Sequence, residues 1–362
     1  MTRVVLAGGG TAGHVNPLLA VAEELQLHHG VAAGSIAVVG TAEGLEARLV
    51  PAAHLTLHTI ARLPFPRKFN LGALLFVPKF LYATAQAWRI LGQHKTDVVA
   101  GFGGYASAPV YVAAWWRKVP LVIHEANAVP GFANRWGSRL TRHVLTAFPT
   151  PSLPGSRVVG MPMAQRITHP AKKTSVSEAR AYFGLTPRKK TLLVTGGSQG
   201  ARHINETVVS LVATVIGAGW QVLHIVGAHN KVPKSMPAGY VGLAYCDRMD
   251  LAFASATAVI SRAGSATVSE IQLLELPAIF VPYPVGNGEQ EKNAQDSLDR
   301  GAAVLVRDED FTPETALHTV WPLLQDEKAL RTMKTAASGL GRSDAAALMA
   351  HTIIESSQKE RS

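Results

Sequence analysis

Residues 261–293 carry polar side chains at the spacing a bound nucleotide would need. The segment Ser261-Arg262-Ala263-Gly264-Ser265-Ala266-Thr267-Val268-Ser269-Glu270 follows the apolar run Ala258-Val259-Ile260. Ala278–Val281 then leads through Pro282-Tyr283-Pro284 to a polar loop and a helix with Gln290 and Asn293. This pattern predicts strand, glycine turn, helix, strand, loop, helix. The turn offers backbone N–H groups at a helix start, where partial positive charge suits a diphosphate. Glu270, two turns further on, has the reach for a ribose diol. Taken alone, the segment also fits an ordinary βαβ unit with a polar rim.

A second such stretch opens the chain. Val4–Ala7 predicts a buried strand, followed by Gly8-Gly9-Gly10-Thr11-Ala12-Gly13-His14 and a helix with Leu18, Leu19, Val21, Ala22 and Leu25 on its apolar face. Gly8, Gly10 and Gly13 satisfy the dinucleotide spacing G-x-G-x-x-G. That reading also requires an acidic residue ending the second strand, yet Ile36–Val39 runs into Gly40-Thr41, with Glu43 past the turn. His14 stands in the first helical turn beside a phosphate-sized nest. There a neutral imidazole could take a proton from a hydroxyl, or simply cap or pack the helix.

Further along, Asp97–Ala100 and Gly101-Phe102-Gly103-Gly104-Tyr105 predict a strand and a glycine-rich turn. Leu121-Val122-Ile123 leads to His124-Glu125-Ala126-Asn127 at the carboxyl edge of another strand, where open α/β sheets bind ligands. Asn134 follows. Pro149–Pro162 is rich in Pro, Ser, Gly and Thr and marks a boundary. After it, Thr191–Thr195 and Gly196-Gly197-Ser198-Gln199-Gly200-Ala201-Arg202 repeat the opening strand, glycine loop and helix. Leu71, Leu74, Leu75, Phe76, Phe80, Leu81, Tyr82 and Trp88 lie among Arg67, Lys68, Lys79 and Arg89. That mixture suits docking on an anionic bilayer, with Trp115, Trp116 and Arg117 extending it; a helix packed on its own sheet is the alternative.

The 362 residues allow two domains, and a single cysteine, Cys246, permits no internal disulfide. The start lacks a signal-peptide pattern, which predicts a cytosolic protein. The charge of +10 is scattered without a nucleic-acid motif and fits an anionic membrane surface or a phosphate-bearing substrate. Val98–Trp116 is uncharged and long enough to suggest a membrane span, but Gly101, Gly103, Gly104 and Pro109 favour strand, loop and buried helix.

These motifs, in this order, resemble the MurG family of glycosyltransferases, within the GT-B superfamily, which adds N-acetylglucosamine to a lipid-linked muramyl peptide. Gly9–His14 is similar to the family loop G-G-T-G-G-H, with Ala12 for one Gly. Gly101–Tyr105 is similar to G-x-G-G-Y, His124–Asn127 to H-E-x-N, Gly196–Ala201 to G-G-S-Q-G-A, and Thr267–Glu270 to T-V-S-E. The resemblance implies two facing Rossmann-like domains with parallel sheets, at residues 1–160 and 161–341, and a helix at 342–362 crossing back to the first.

It also implies transfer of N-acetylglucosamine from UDP to the C4 hydroxyl of the lipid I muramyl sugar, giving lipid II. His14 is then the favoured base and Glu125 a lesser one. Thr11, Ala12, Gly13, Asn127, Ser198, Cys246 (through its backbone), Ser265, Ala266, Thr267, Val268, Ser269, Glu270 and Gln290 are assigned to UDP-N-acetylglucosamine. Gly10, Gly103, Gly104, Tyr105 and Asn134 go to the acceptor diphosphate. Leu75, Phe76, Lys79, Phe80 and Trp116 form a membrane patch that places the enzyme peripherally on the cytoplasmic face.

Two departures stand out. Ala164 replaces a phosphate-facing Arg, a place Arg166 could take, and Arg248 replaces an Asp two residues after Cys246. Ligand spacing for a metal is absent, so activity without a metal or other cofactor is expected. A UDP-sugar 2-epimerase or another glycosyltransferase of the same fold, a nicotinamide-dependent oxidoreductase, and a non-catalytic nucleotide binder are the competing readings.

Overall fold

The computed structural model describes residues 2–63, 75–168, 175–197, 200–285 and 287–359. Arg67, Lys68, Leu71, Leu74, Ser198, Gln199, Gly286 and the tail from Glu360 lie outside the described residues.

The short β-branched runs form two parallel sheets. The first holds β1 (Val4–Ala7), β2 (Ile36–Gly40), β3 (Thr56–Thr59), β4 (Val98–Gly101), β5 (Leu121–Glu125), β6 (His143–Thr146) and β7 (Arg157–Val158). Its order is β3-β2-β1-β4-β5-β6-β7. The second holds β8 (Thr191–Thr195), β9 (Gln221–Ile225), β10 (Tyr240–Leu243), β11 (Ala258–Ser261), β12 (Ala278–Phe280) and β13 (Ala303–Leu305), in the order β10-β9-β8-β11-β12-β13. β1, β2, β4, β5, β8, β9 and β11 are buried at every residue, as strands covered by helices on both faces must be. The fold is α/β with two Rossmann-like units.

One compact unit runs to Ala164 and resumes at Ser343; the other is Gln165–Arg342. The final helix, Ala345–Lys359, joins the first unit because Met349, Ala350 and Ile353 bury in the same cluster as Val4, Leu6, Leu18 and Leu25. Burial of side chains of this size contributes about 1.5–3 kcal/mol each. In the second unit Trp220 meets Trp321 edge-on at 5.8 Å between ring centres. Near Pro322 the helical stretch is interrupted: Pro313–Thr315 passes into a π turn, Ala316–Val320, before Trp321–Gln325. A proline that lacks an N–H and crowds the preceding turn accounts for that widening.

Val98–Trp116 is β4, a turn and the helix Ser107–Trp116, and among the described residues no helix is long and apolar enough to cross a membrane. Strand order reverses between β1 and β4 in one sheet and between β8 and β11 in the other. Ligands of open α/β sheets bind outside the carboxyl ends of the strands at such points. Residues 8–11 and 102–106 occupy that position in the first unit, and Gly196, Gly197, Gly200, Ala201 and 262–264 in the second.

Candidate active site

In the first unit His14 lies in the first turn of the helix Ala12–His29. Its Nδ1 is 3.2 Å from the Gly9 carbonyl oxygen and 3.1 Å from Thr11 Oγ1. A carbonyl only accepts, so the Gly9 contact assigns the proton to Nδ1, with Thr11 Oγ1 as a second acceptor, and leaves Nε2 its lone pair. Burial holds the imidazole below its ordinary pKa, against smaller raising effects from Gly9 and Glu46. His14 is therefore neutral near pH 7, the form a general base requires.

Behind the loop sits a residue that the motifs did not flag. Glu46 is fully buried, and its Oε2 accepts the Gly10 N–H at 2.8 Å. Its Oε1 accepts from Thr41 N at 2.8 Å and from Thr41 Oγ1 at 2.7 Å. A Cβ at Gly9, Gly40 or Gly44 would stand 2.2, 2.6 or 2.0 Å from this side chain, so three glycines make its room. These hydrogen bonds outweigh the opposing effect of burial and hold the carboxyl below its usual range. Gly10, expected at the acceptor diphosphate, lines the cavity but gives its N–H to Glu46.

A cavity of about 510 Å³ opens beside His14, with Gly103, Gly104, Tyr105, Glu125 and Asn127 on its polar side and Phe76, Phe80, Phe132 and Trp136 on its apolar side. Gly103 and Gly104 both have positive φ, 87° and 86°. A Cβ on Gly104 would lie 2.3 Å from the Gly9 carbonyl oxygen, so the two glycine loops touch only because Gly104 has no side chain. Gly104→Ala is expected to destabilise the unit by more than about 1 kcal/mol through φ and overlap together. Urea denaturation measures this, and an unchanged midpoint would mean that the loops separate freely.

Glu125 is buried with both oxygens engaged. Oε1 accepts from Asn127 N at 2.9 Å, and Oε2 from Gly131 N at 3.0 Å and Asn134 Nδ2 at 2.9 Å. Burial pushes its carboxyl up, and these contacts oppose the rise. The arrangement shapes the loop from Glu125 to Gly131 and leaves Glu125 poorly placed to take a proton. Asn134, also expected at the acceptor diphosphate, is buried, gives Nδ2 to Glu125 and the His124 carbonyl, and accepts the Tyr111 hydroxyl at 2.7 Å. It organises the wall of the cavity it lines. Tyr105 is exposed, with the Arg62 guanidinium 5.8 Å from its ring centre.

In the second unit the helix Ser265–Leu273 begins after Gly264 without a side-chain cap or an acid in its first turn. The helix Arg202–Gly217, which follows the 196–201 loop, begins the same way. Phe76–Gln93 and Ser107–Trp116 also start uncapped, whereas Ser175 closes a capping box on Val176–Tyr182 and Asp326 caps Glu327–Ala337. Their place at the strand switch point is what sets the helices starting at Ser265 and Arg202 apart. Bare N-terminal N–H groups at a strand switch point form an anion site. Ala266, Thr267 and Glu270 are half-buried, whereas Ser265, Val268 and Ser269 turn their side chains inward. Contacts from these three must therefore come from the backbone.

Burial pushes Glu270 up to about 8, opposed by the Arg166 guanidinium. Against burial, Asp250 is held down chiefly by Arg248, and Arg166 adds to that effect, so Arg166 does bring positive charge to this edge. Gln290 Oε1 accepts Ala263 N at 3.2 Å and Tyr283 N at 2.9 Å, tying the β11 and β12 loops together. Arg262 braces the same loops through the Val281 and Pro282 carbonyls and the Asp308 carboxylate. Cys246 is buried, with its thiol pushed up by burial, and Tyr245 beside it is exposed.

Residues 4–146 match the glycosyltransferase family 28 N-terminal domain, and residues 191–349 the family 28 C-terminal domain. A transferase of Clavibacter sepedonicus is 49% identical over 98% of this chain and 96% of its own length. The chain belongs to glycosyltransferase family 28. Both that relative and one from Streptomyces coelicolor are named UDP-N-acetylglucosamine--N-acetylmuramyl-(pentapeptide) pyrophosphoryl-undecaprenol N-acetylglucosamine transferase. The second is 45% identical, covering 98% of each chain. The crystal structure of Acinetobacter baumannii MurG superposes with a TM-score of 0.78 at 29% identity, covering 98% of this chain and all of that one. The glycosyltransferase SnogD of Streptomyces nogalater shares the fold, with a TM-score of 0.66 at 15% identity over 98% of this chain and 99% of its own.

In this family 28 enzyme the expected membrane patch divides. The helix Phe76–Gln93 packs inward through Ala83, Thr84, Ala87 and Leu91. Phe76 and Phe80 are half-buried against the core and the cavity, while Leu75, Lys79 and Trp116 are exposed. Val77, Leu81, Tyr82, Trp88 and Trp115 are exposed as well. Arg117 lies 3.7 Å from the centre of the Trp88 ring and donates Nε–H to the Trp88 carbonyl at 2.6 Å, joining the two helices.

Proposed function

We propose that this chain transfers N-acetylglucosamine from UDP-N-acetylglucosamine to the C4 hydroxyl of the muramyl-pentapeptide of lipid I, giving lipid II for peptidoglycan. The observation that carries the reading at the site is the neutral His14, with Nδ1 at the Gly9 carbonyl and its ring on the 510 Å³ cavity. In this mechanism His14 Nε2 takes the proton of the acceptor hydroxyl. The oxygen attacks the anomeric carbon, UDP departs, and configuration inverts. Charge developing on the leaving diphosphate meets N–H groups of the helices starting at Arg202 and Ser265. Glu270 receives the ribose diol and Gln290 steadies the adjoining loops.

The exposed apolar residues with Lys79 and Arg89 on one helix support peripheral attachment to an anionic membrane. The cytoplasmic face, where a nucleotide sugar is supplied, fits the same reading.

The test is UDP release from UDP-N-acetylglucosamine, with and without a lipid I analogue and with a chelator present. Release that depends on acceptor is the expected result. Release that ignores the acceptor would replace the transferase with an epimerase or a hydrolase, and loss of turnover with the chelator would end the metal-independent mechanism.

A further inference from the structure

Gly9 and Gly10 share one peptide plane, and both of its polar groups are committed. Its N–H goes to Glu46 Oε2 at 2.8 Å, and its carbonyl faces His14 Nδ1 at 3.2 Å. In a trans peptide these groups point opposite ways, so holding the N–H on a buried carboxylate aims the carbonyl at the imidazole. We infer that Glu46 is a positioning residue for His14, acting through the Gly9–Gly10 peptide to fix the ring's tautomer and to favour its protonated form during transfer. The inference rests on His14 being the base.

The geometry has the logic of an Asp–His pair with a peptide interposed. A carboxylate on the N–H polarises the peptide and strengthens its carbonyl as an acceptor of Nδ1–H. When Nε2 takes the acceptor's proton, the new positive charge has an ionised carboxylate behind the loop. Thr41 holds that carboxylate by its N–H and hydroxyl, and the overlap a Cβ would make at Gly9, Gly40 or Gly44 keeps the cage glycine-lined. Other titratable or charged groups around His14 are Glu125 and Tyr105 on the cavity, and Arg62, which pairs with Glu43 and lies over the Tyr105 ring. Glu125 is engaged by its own loop, and among the described residues Glu46 is the charged group that reaches the peptide touching His14.

The experiment compares pH profiles of kcat for the full chain, Glu46→Gln, Glu46→Asp and His14→Ala, with lipid I analogue as acceptor. Glu46→Gln keeps the length and removes the charge, and with its amide oxygen on Gly10 N–H it also turns the Thr41 N–H contact into donor against donor. Its kcat is expected to fall by about 10- to 100-fold, less than the roughly 10⁴-fold seen when a carboxylate bonds the imidazole directly. Its acid limb should move to lower pH, because an imidazolium without Glu46 gives up its proton more readily. The KM for UDP-N-acetylglucosamine should hold, and Glu46→Asp should recover part of both effects.

Nitrogen-15 NMR of the unaltered enzyme, with His14 assigned by its absence from the variant, should show Nδ1 protonated and Nε2 bare. A ring protonated at Nε2 overturns the inference, even where no Glu46 variant folds. Wild-type kcat and an unmoved acid limb in Glu46→Gln, with His14→Ala inactive, overturn it alone. An active His14→Ala instead removes the base assignment beneath it.

Discussion

In His14→Ala, acceptor-dependent turnover is expected to fall by about 10²- to 10⁴-fold, the usual contribution of a positioned general base. Affinity for UDP-N-acetylglucosamine should stay close to wild type, because His14 enters the proposed reaction as a proton acceptor. Product formation in single-turnover mixing, with sugar-donor binding followed by calorimetry, separates the two quantities. The wild-type pH profile is a second readout. Burial places the His14 pKa below 6.5, so the base stays neutral and turnover persists beneath that pH, failing only as the ring protonates. An acid limb above 6.5, or a His14→Ala enzyme within about threefold of wild type, would fall outside the range for a lost base and assign the proton to another group.

The parts of the site that the sequence made legible are those whose geometry is local. A glycine turn at the start of a helix is set by neighbouring residues, and so the loops at Gly9–Gly13, Gly103–Tyr105 and Gly264–Ser265 could be read from spacing alone. Strands such as Val4–Ala7 and Thr191–Thr195 were as legible, since unbroken β-branched runs suit sheets covered on both faces. What the spacing hid are contacts closed across long separations. Glu46 stands 36 residues from Gly10, and nothing in its own neighbours announces a buried carboxylate. Its signal was negative and distributed, namely Gly9, Gly40 and Gly44 lacking the side chains that would fill its place.

The partners of Asn134 were hidden for the same reason. A polar residue near a glycine loop reads as a ligand until Tyr111, 23 positions away, takes its carbonyl oxygen. Gln290 shows a milder version. Its position suited a ligand, and what the fold adds is its grip on the Ala263 and Tyr283 N–H groups, which sets the shape of the β11 and β12 loops. Amphipathic spacing likewise marked the helix Phe76–Gln93 without separating the rings that face the core from those that face solvent.

Affinity for UDP-N-acetylglucosamine should itself titrate. Glu270, held up to about 8, is mostly protonated in the free enzyme at neutral pH, whereas a ribose diol presents two O–H groups that a carboxylate accepts best. Binding must then release a proton below pH 8, and affinity should rise by at most about tenfold per pH unit until the carboxyl is ionised in both states. Above that pH the curve should flatten. The nucleotide sugar's diphosphate is esterified at both ends and does not titrate here, so the slope belongs to the protein. Glu270→Gln should bind more weakly by about 1.5–3 kcal/mol at the plateau, the range for a hydrogen bond to a charged group, and should lose the slope. Arg166→Ala should move the bend to higher pH, since that guanidinium opposes the rise. Calorimetry in two buffers of different ionisation heat counts the released proton directly. Equal heats in both, or an affinity flat from pH 6 to 9, would take Glu270 away from the ribose and leave it a half-buried acid of the fold.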